Sequence, residues 1–168
     1  MNESTATSLH GAPLDGAPVE LLYRMDDLGK RLGMQTLAFG PSGTCKLVFD
    51  QTWVLTIVWH ARTQSVRLHC PLCQARPQEA WAPQTLLTML QNNFVGQNTG
   101  GGMLSIAPDR RAYITLELSW QEICAGALHD AIESLLQQAE TWSTRLNESP
   151  DLDQHTARDL AMAATHRA

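Results

Sequence analysis

Residues 45–70 read CKLVFDQTWVLTIVWHARTQSVRLHC, three apolar runs separated by two short polar segments. In the first and third runs, apolar and polar residues alternate, which is typical of strands with one buried face. The middle run, residues 52–60, is rich in β-branched and aromatic residues and is apolar on both faces, which favours a central strand. The stretch therefore predicts a meander of antiparallel strands.

Helical patterns flank this meander on both sides. Before it, apolar residues recur at alternating steps of four and three, and Gly33 follows where a helix stop favours glycine. A first helix is therefore predicted over Val19–Leu32. After the meander, Pro83 suits the first turn of a second helix, whose apolar stripe ends at Phe94.

The C-terminal half continues with a hairpin and a helix. A glycine-rich turn, residues 96–102, precedes two predicted strands, Met103–Ala107 and Ala112–Leu118. Ser119 and Glu122 form a capping box in front of a long third helix. This order of elements predicts an α+β fold in which helices pack on one face of a twisted antiparallel sheet. The apolar stripe of the third helix comprises Leu128, Ile132, Leu135, Ala139, Trp142 and Leu146.

Length and composition favour one folded domain. The chain has 168 residues, of which 43% are hydrophobic and 17% charged, an ordinary globular composition. Residues 1–18 lack an apolar period and predict a flexible N-terminal arm. Residues 147–168 form a polar C-terminal tail, either a loose helix or disordered, so the domain is predicted to span residues 19–146.

Charge and targeting signals exclude several classes of partner. The formal net charge is -5, and the basic doublets Lys30-Arg31 and Arg110-Arg111 are too short to form a nucleic-acid-binding stripe. The first twenty residues lack the basic start and apolar stretch of a signal peptide, and no apolar run approaches membrane-spanning length. We expect a cytoplasmic protein that binds no nucleic acid and does not insert into membranes.

One short motif has chemical potential. Cys70 and Cys73 form a Cys-x-x-Cys pair, which can supply two zinc ligands or a redox dithiol. Zinc needs four ligands, and the other cysteines and histidines are scattered along the chain. The pair also ends a predicted strand, whereas a thioredoxin-like dithiol begins a helix. We therefore predict no metal site, no cofactor and no catalytic residue.

The order of elements and three passages of sequence resemble the class I type III secretion chaperones, which include the chaperone of the translocated intimin receptor. The resemblance covers about Val19–Leu146, and the Cys70–Cys73 pair and the C-terminal tail depart from it. The passages are LLYRMDDLGKRLGMQTLAFGPSGTCKLVFD from residue 21, LLTMLQNNFVGQNTGGGMLSIAPDRRAYITLEL from residue 86 and LSWQEICAGALHDAIESLLQQAETWSTRL from residue 118.

The resemblance implies a bacterial homodimer that binds the N-terminal segment of one or more secreted effector proteins. The chaperone keeps that segment soluble and secretion-competent until the secretion machinery removes it, and it uses no cofactor and catalyses nothing. The alternative function is a regulatory protein-binding module with the same chaperone-like fold, because both functions need an apolar surface on an acidic dimer.

Two apolar contact surfaces are predicted. Because residues 52–60 are apolar on both faces, the first helix and the outward faces of the strands are predicted to bind the effector; the alternative is that both faces are buried core. The resemblance places the dimer interface on the second helix and second hairpin; alternatively, these residues pack on their own sheet. The effector-binding residues are Leu21, Leu22, Met25, Leu28, Val48, Val54 and Val58. The dimer-interface residues are Leu86, Leu90 and Phe94.

Overall fold

The computed structural model describes residues 17–34, 37–72, 81–94, 96, 99–124 and 126–148. Its helices are α1 (Val19–Arg31), α2 (Pro83–Asn93), α3 (Trp120–Cys124) and α4 (Leu128–Glu148). Its strands are β1 (Thr44–Phe49), β2 (Trp53–His60), β3 (Ser65–Pro71), β4 (Met103–Ile106) and β5 (Ala112–Ser119). Apart from residues 17–18 and 147–148, the predicted arm and tail lie outside the described residues.

The strands form one antiparallel sheet in the order β1-β2-β3-β5-β4. The meander predicted from residues 45–70 is confirmed, since β1 pairs with β2 and β2 with β3. β5 pairs with β3 along the whole of that strand, from Ser65 opposite Ser119 to Pro71 opposite Tyr113. β2 is paired on both sides, as predicted for a central strand, and β1 and β4 are the two edges.

The core lies on one face of this sheet. Cys45, Ile57 and Leu68 are direct partners across β1, β2 and β3, and all three are buried. Directly paired residues of antiparallel strands project from the same face, so this row marks the face against which the helices pack. α4 contacts β3 and β5 there, and α1 contacts α3 and α4. The predicted helical stripe is buried, with exposed fractions of 0–8% for Leu128, Ile132, Leu135, Ala139, Trp142 and Leu146.

The predicted long third helix is two helices, α3 and α4. Gly126 has a φ of +91°, a left-handed conformation that ends α3 and that other residues rarely adopt. Its N–H donates to the carbonyl of Ile123, at 3.0 Å, and the N–H of Ala127 donates to the carbonyl of Glu122, at 3.1 Å. The chain therefore changes direction before α4 begins, and α4 can lie across the sheet.

The predicted capping box is present at the start of α3. The backbone N–H and the hydroxyl of Ser119 donate to Glu122 Oε2 at 2.7 and 2.6 Å, and the N–H of Glu122 lies 3.4 Å from Ser119 Oγ. These hydrogen bonds to the hydroxyl and then to the backbone of Ser119 lower the pKa of the Glu122 carboxyl.

We expect Ser119→Ala to lower the free energy of unfolding by about 1 kcal/mol, because a helix loses its N-terminal cap. The pKa of Glu122 is lower in the folded state than in the unfolded state. The contribution of the Glu122 carboxylate to stability is therefore fully present above the unfolded-state pKa and is lost as the pH falls through the folded-state pKa. Urea unfolding should therefore show a difference from wild type that shrinks on acidification. Gln121→Ala, an exposed neighbour, is the control; an equal loss in both variants would contradict the cap.

Candidate functional site

The face of the sheet opposite the core carries exposed and half-buried side chains. They alternate along the strands with the core residues and therefore project the other way. Their rows cross several strands: Thr56 lies opposite both Lys46 and His69, and His69 lies opposite Thr115. We call this surface the open face. Its residues include Lys46, Val48, Val54, Thr56, Val58, Arg67, His69, Met103, Tyr113, Thr115 and Glu117.

The predicted effector-binding valines lie on the open face. Val48 and Val54 are direct partners on β1 and β2, with 57% and 37% of their surface exposed. Val58, further along β2, is half-buried. The alternative that both faces of β2 are core is therefore wrong at Val54, and the structure presents a pair of apolar side chains at one corner of the open face. Their role in binding stays a prediction.

The predicted contribution of α1 requires a correction. Leu21, Met25 and Leu28 are only 0–3% exposed and belong to the core, so their prediction as surface residues is wrong. They form the side of α1 that packs inward, because residues spaced by four and three share one side of a helix. Leu22 lies beside this stripe and is 42% exposed.

An outer apolar stripe on α1 was missed by the sequence analysis. Val19 and Tyr23 are 66% and 65% exposed, and together with Leu22 they follow the spacing i, i+3, i+4. That spacing was visible in the sequence, but it competed with the stronger inward stripe of the same helix. The exposed apolar surface of α1 is therefore this outer stripe.

The middle of the open face is polar. Arg67 Nη2 lies 3.0 Å from Glu117 Oε2, and Ser65 Oγ donates to Glu117 Oε1 at 2.6 Å. The hydrogen bonds from Ser65 and then Arg67 lower the pKa of the Glu117 carboxyl. Burial and the neighbouring Arg67 charge lower the pKa of His69, so its imidazole is neutral at pH 7.

A cleft lies over β3, β5 and β4 on the same face. It has a volume of about 640 Å³, and its walls include Arg67, His69, Met103 and Tyr113. These polar and aromatic residues were not predicted from the sequence, because they come from strands that become neighbours only when β5 pairs with β3. The ion pair lies in the row of Val58, which is opposite Arg67, and the row of Thr56 and His69 separates it from Val48 and Val54. The open face therefore carries an apolar corner and a polar cleft, an arrangement suited to contact with a peptide.

α2 exposes the apolar residues predicted for the dimer interface. The side of α2 that faces its own domain carries Thr85 and Met89, which are 9% and 3% exposed. The alternative that the apolar stripe packs on its own sheet is therefore wrong, because the helix is turned with that stripe outward. The exposed fractions are 37% for Leu86, 47% for Leu87, 67% for Leu90 and 88% for Phe94.

Met103 is a further exposed apolar residue near α2. It is 63% exposed and lies on β4, which contacts α2. Its cross-strand partner is Thr115, so Met103 projects onto the open face, where it forms part of the wall of the cleft. Neither Met103 nor Leu87 was among the predicted interface residues, although Leu87 could have been found from its position beside Leu86 and Leu90.

The structure bears on the possible chemistry of the cysteines. Burial raises the pKa of Cys70 to about 12 and that of Cys45 to about 11, so both thiols are protonated at neutral pH. Cys73, the second member of the Cys-x-x-Cys pair, lies outside the described residues. Among the residues that are described, His129, Asp130 and Glu133 bring possible ligand atoms within 4.8 Å of one another, but exposed acids on one helix face are common without a metal.

The fold and its surfaces can now be compared with known proteins. The model of the Tir chaperone protein (CesT) family matches residues 25–143. The chain belongs to this family. The family predicted from the order of elements is thereby confirmed, and the matched residues include part of α1, the whole sheet, α2, α3 and most of α4. No curated protein matches the sequence of the chain.

Solved structures share the fold of this CesT-family chain. A chain of the ExsC–ExsE complex is 13% identical with a TM-score of 0.65, over 76% of this chain and 93% of that one. A chain of the HopA1–SchA chaperone–effector complex is 18% identical with a TM-score of 0.57, over 79% and 100%. A chain of the ExoU–SpcU complex from the type III secretion system of Pseudomonas aeruginosa is 16% identical with a TM-score of 0.54, over 73% and 93%. These likenesses confirm the predicted fold.

No helix in the described part of the chain has both the length and the apolar character that a membrane-spanning helix needs. Each of α1 to α4 is too short or too polar to traverse a lipid bilayer.

The buried thiols predict a pattern of alkylation. In native protein at neutral pH, iodoacetamide should modify half-buried Cys124 at least about a hundredfold faster than Cys45 or Cys70, because only the thiolate reacts and burial disfavours it. Peptide mass spectrometry after timed quenching measures each site. Protein unfolded in urea is the control and should lose the difference; equally fast labelling of native Cys70 would show that its thiol is accessible and reactive.

Proposed function

We propose that this protein is a type III secretion chaperone that binds the N-terminal segment of one or more effector proteins in the bacterial cytoplasm. It keeps the segment soluble and secretion-competent until the secretion machinery removes it, and it has no catalytic role. Membership of the CesT family supports this proposal. The observation that carries it is the open face, where Val48 and Val54 are exposed on an otherwise well-packed sheet.

The open face suits an extended segment that must be held and later released. Burying one valine side chain contributes roughly 1.5 kcal/mol or more, whereas ordering each residue of the segment costs about 1–2 kcal/mol. A single valine pair therefore cannot hold a segment alone. A segment that continues around the domain to α1, which packs with α3 and α4 on the other side of the sheet, would gain further apolar contacts from Val19, Leu22 and Tyr23. The sum of many weak contacts remains reversible.

We further propose that the chaperone is a homodimer joined through α2 and β4. The outward stripe of α2 and Met103 are exposed in the single chain. In a dimer with two-fold symmetry the same surface meets its own copy, so one apolar stripe per chain is enough to cover both. A stable interface of this kind buries about 1,200–2,000 Å² in total, and the interface would remove the most exposed apolar residue, Phe94, from water.

Purification of the tagged full-length chain from its native bacterium tests the function. We expect two copies of the chain to be retained with one copy of a larger protein, as measured by light scattering and mass spectrometry. Limited proteolysis of that complex should leave a client fragment from its N-terminal part. A protected fragment from the middle or C-terminal part of the client would contradict the proposal.

The double variant Val48→Asp, Val54→Asp should bind that client at least about a hundredfold more weakly, because two apolar contacts are lost and two charges are desolvated. Since both side chains are exposed, the circular dichroism spectrum should be preserved. The melting temperature should fall slightly, because the two carboxylates are direct cross-strand partners and repel each other. Isothermal titration calorimetry with the purified client measures the affinity.

The matched control is Gln137→Asp, Asn147→Asp, which adds the same two charges at exposed positions of α4. It should bind the client as the wild type does. Equal affinity of the two double variants would exclude the open face as the binding surface, and unfolding of the valine variant alone would show that β1 and β2 need these valines for stability.

Leu90→Asp should shift the protein from dimer to monomer, raising the dimer dissociation constant by at least about a hundredfold, because a charge would be buried twice at the two-fold axis. Size-exclusion chromatography with light scattering at micromolar concentration measures the mass. Gln91→Glu, the next and also exposed residue of α2, is the control and should stay dimeric. A monomeric wild type, or a dimeric Leu90→Asp variant, would contradict the interface.

A further inference from the structure

One row of side chains crosses all five strands on the open face. Lys46, Thr56 and His69 are direct partners across β1, β2 and β3, and the row continues through Thr115 on β5 to Met103 on β4. Neighbouring strands are about 4.8 Å apart, so the Cα atoms of Lys46 and His69 are roughly 10 Å apart, one on either side of Thr56. We call Lys46, Thr56 and His69 the donor row.

The donor row consists of hydrogen-bond donors that have no acceptor in the described part of the chain. Lys46 is exposed and forms no ion pair with a described residue, and none of these residues accepts a hydrogen bond from the Thr56 hydroxyl. His69 is half-buried, and its ring meets the Tyr113 ring edge-on, with centroids 6.2 Å apart. This contact orients the imidazole without occupying its N–H, so all three donors are available to a bound molecule.

The donor row carries an uncompensated positive charge on a chain of negative net charge. Among the residues of the five strands, Lys46 and Arg67 are the lysine and arginine residues and Glu117 is the only acid. The Glu117 carboxylate accepts hydrogen bonds from Arg67 at 3.0 Å and from Ser65 at 2.6 Å, so it is already held in the neighbouring row. The charge of Lys46 thus has no counterpart on the strands, although the whole chain carries -5. An acceptor with a negative charge would complement the donor row.

We propose that the donor row binds an acidic side chain of the client segment, with its carboxylate held between the Lys46 ammonium and the His69 imidazole. The inference rests on the proposed function for the identity of the bound chain, a segment of an effector. Hydrogen bonds in which a partner is charged are shorter and stronger than neutral ones, so this site selects glutamate or aspartate over their amides. β5 separates His69 from β4, so the site lies away from the strand assigned to the dimer interface.

The exposed valine pair indicates where the acidic residue lies in the segment. Val48 follows Lys46 by two residues on β1, and Val54 precedes Thr56 by two residues on β2, so the valines form the next row of the open face. Two residues of a strand span about 6.6 Å, which is also the spacing of residues i and i+2 in an extended segment that lies along the strands. An acidic residue and an apolar residue separated by one position therefore fit the two rows together.

The site couples binding to protonation of His69. Burial and then the charges of neighbouring groups, Arg67 first, lower the pKa of this imidazole, so it is neutral at pH 7 in the free protein. A bound carboxylate favours the protonated form, so binding takes up a proton and the affinity should rise as the pH falls from 8 to 6. β4 presents only uncharged residues. The charged and titratable groups around His69 are Lys46 on β1, His60 on β2, Arg67 on β3, and Tyr113 and Glu117 on β5.

Two synthetic peptides test the site on the full-length protein without any client. Both have blocked ends and about seven residues, an ordinary strand length, with valine two positions to either side of the centre and threonine elsewhere. The central residue is glutamate in one peptide and glutamine in the other. At pH 6 the glutamate peptide should bind at least about fivefold more tightly, as measured by NMR titration of the His69 ring signals. It should also raise the pKa of His69, which the glutamine peptide should leave unchanged.

Variants separate the contributions of the two donors. Lys46→Gln should reduce the preference for the glutamate peptide to less than about twofold, because the permanent charge is lost. Lys30→Gln is the matched control, since it removes the same charge from an exposed position of α1, and it should bind as the wild type does. Between pH 8 and 6 the wild type should gain at least about threefold in affinity for the glutamate peptide. His69→Gln keeps an N–H donor but takes up no proton, so it should lose this gain, and His60→Gln should retain it.

Equal binding of the two peptides to the wild type, or no binding of either at about 5 mM, would overturn the proposal. This comparison needs no variant, so it stands even if His69→Gln fails to fold. A client whose affinity is the same for wild type, Lys46→Gln and His69→Gln would overturn the carboxylate site and leave the chaperone function intact. The proposed function fails by a separate result, the absence of a client or its full retention by the Val48→Asp, Val54→Asp variant, so the two failures are distinguishable.

Discussion

The pleat of the sheet constrains everything else in this structure. Successive residues of a strand project from opposite faces, so covering one face with helices leaves the other without cover. β2 shows the consequence within neighbouring residues: Leu55 and Ile57 are fully buried, whereas Val54 is 37% exposed. The strand was apolar on both faces because one face forms the core and the other is available to a partner. Core residues and exposed residues thus alternate along the same strands.

The helices divide their surfaces in the same way. α1 buries Met25 and Leu28 in the core and leaves Leu22 beside them in solvent, and α2 turns Met89 inward while Leu90 and Phe94 remain outside. Exposed apolar surface is costly in a monomer, because each such side chain forgoes the free energy of burial. Its presence on helices that are otherwise well packed supports the proposal that these surfaces bind other chains, a copy of this one and a client.

A protein that binds extended segments must also avoid joining its own copies through the sheet edges. Unpaired edge backbone is a template for any strand, so native sheets protect their edges. Here the side-chain amide of Asn93 on α2 makes two hydrogen bonds to Leu104 of the β4 edge, and at the β1 edge the Gly40 N–H donates to the Thr44 carbonyl. The same helix therefore contacts an edge strand with its inward side and presents an apolar stripe with its outward side.

The sequence by itself determined the strands of the meander, the buried stripe of α4 and the capping box, because each depends on residues close together in the chain. It also determined that α1 and α2 are amphipathic, but the spacing of apolar residues alone does not predict which surface packs against an apolar stripe. Only the tertiary structure decided that Leu21 lies in the core and Leu90 in solvent, that Gly126 divides the last helix, and that Asn93 meets Leu104. Those outcomes depend on how elements that are distant in the chain pack against each other, because a helix that buries one side in the core leaves its other side exposed.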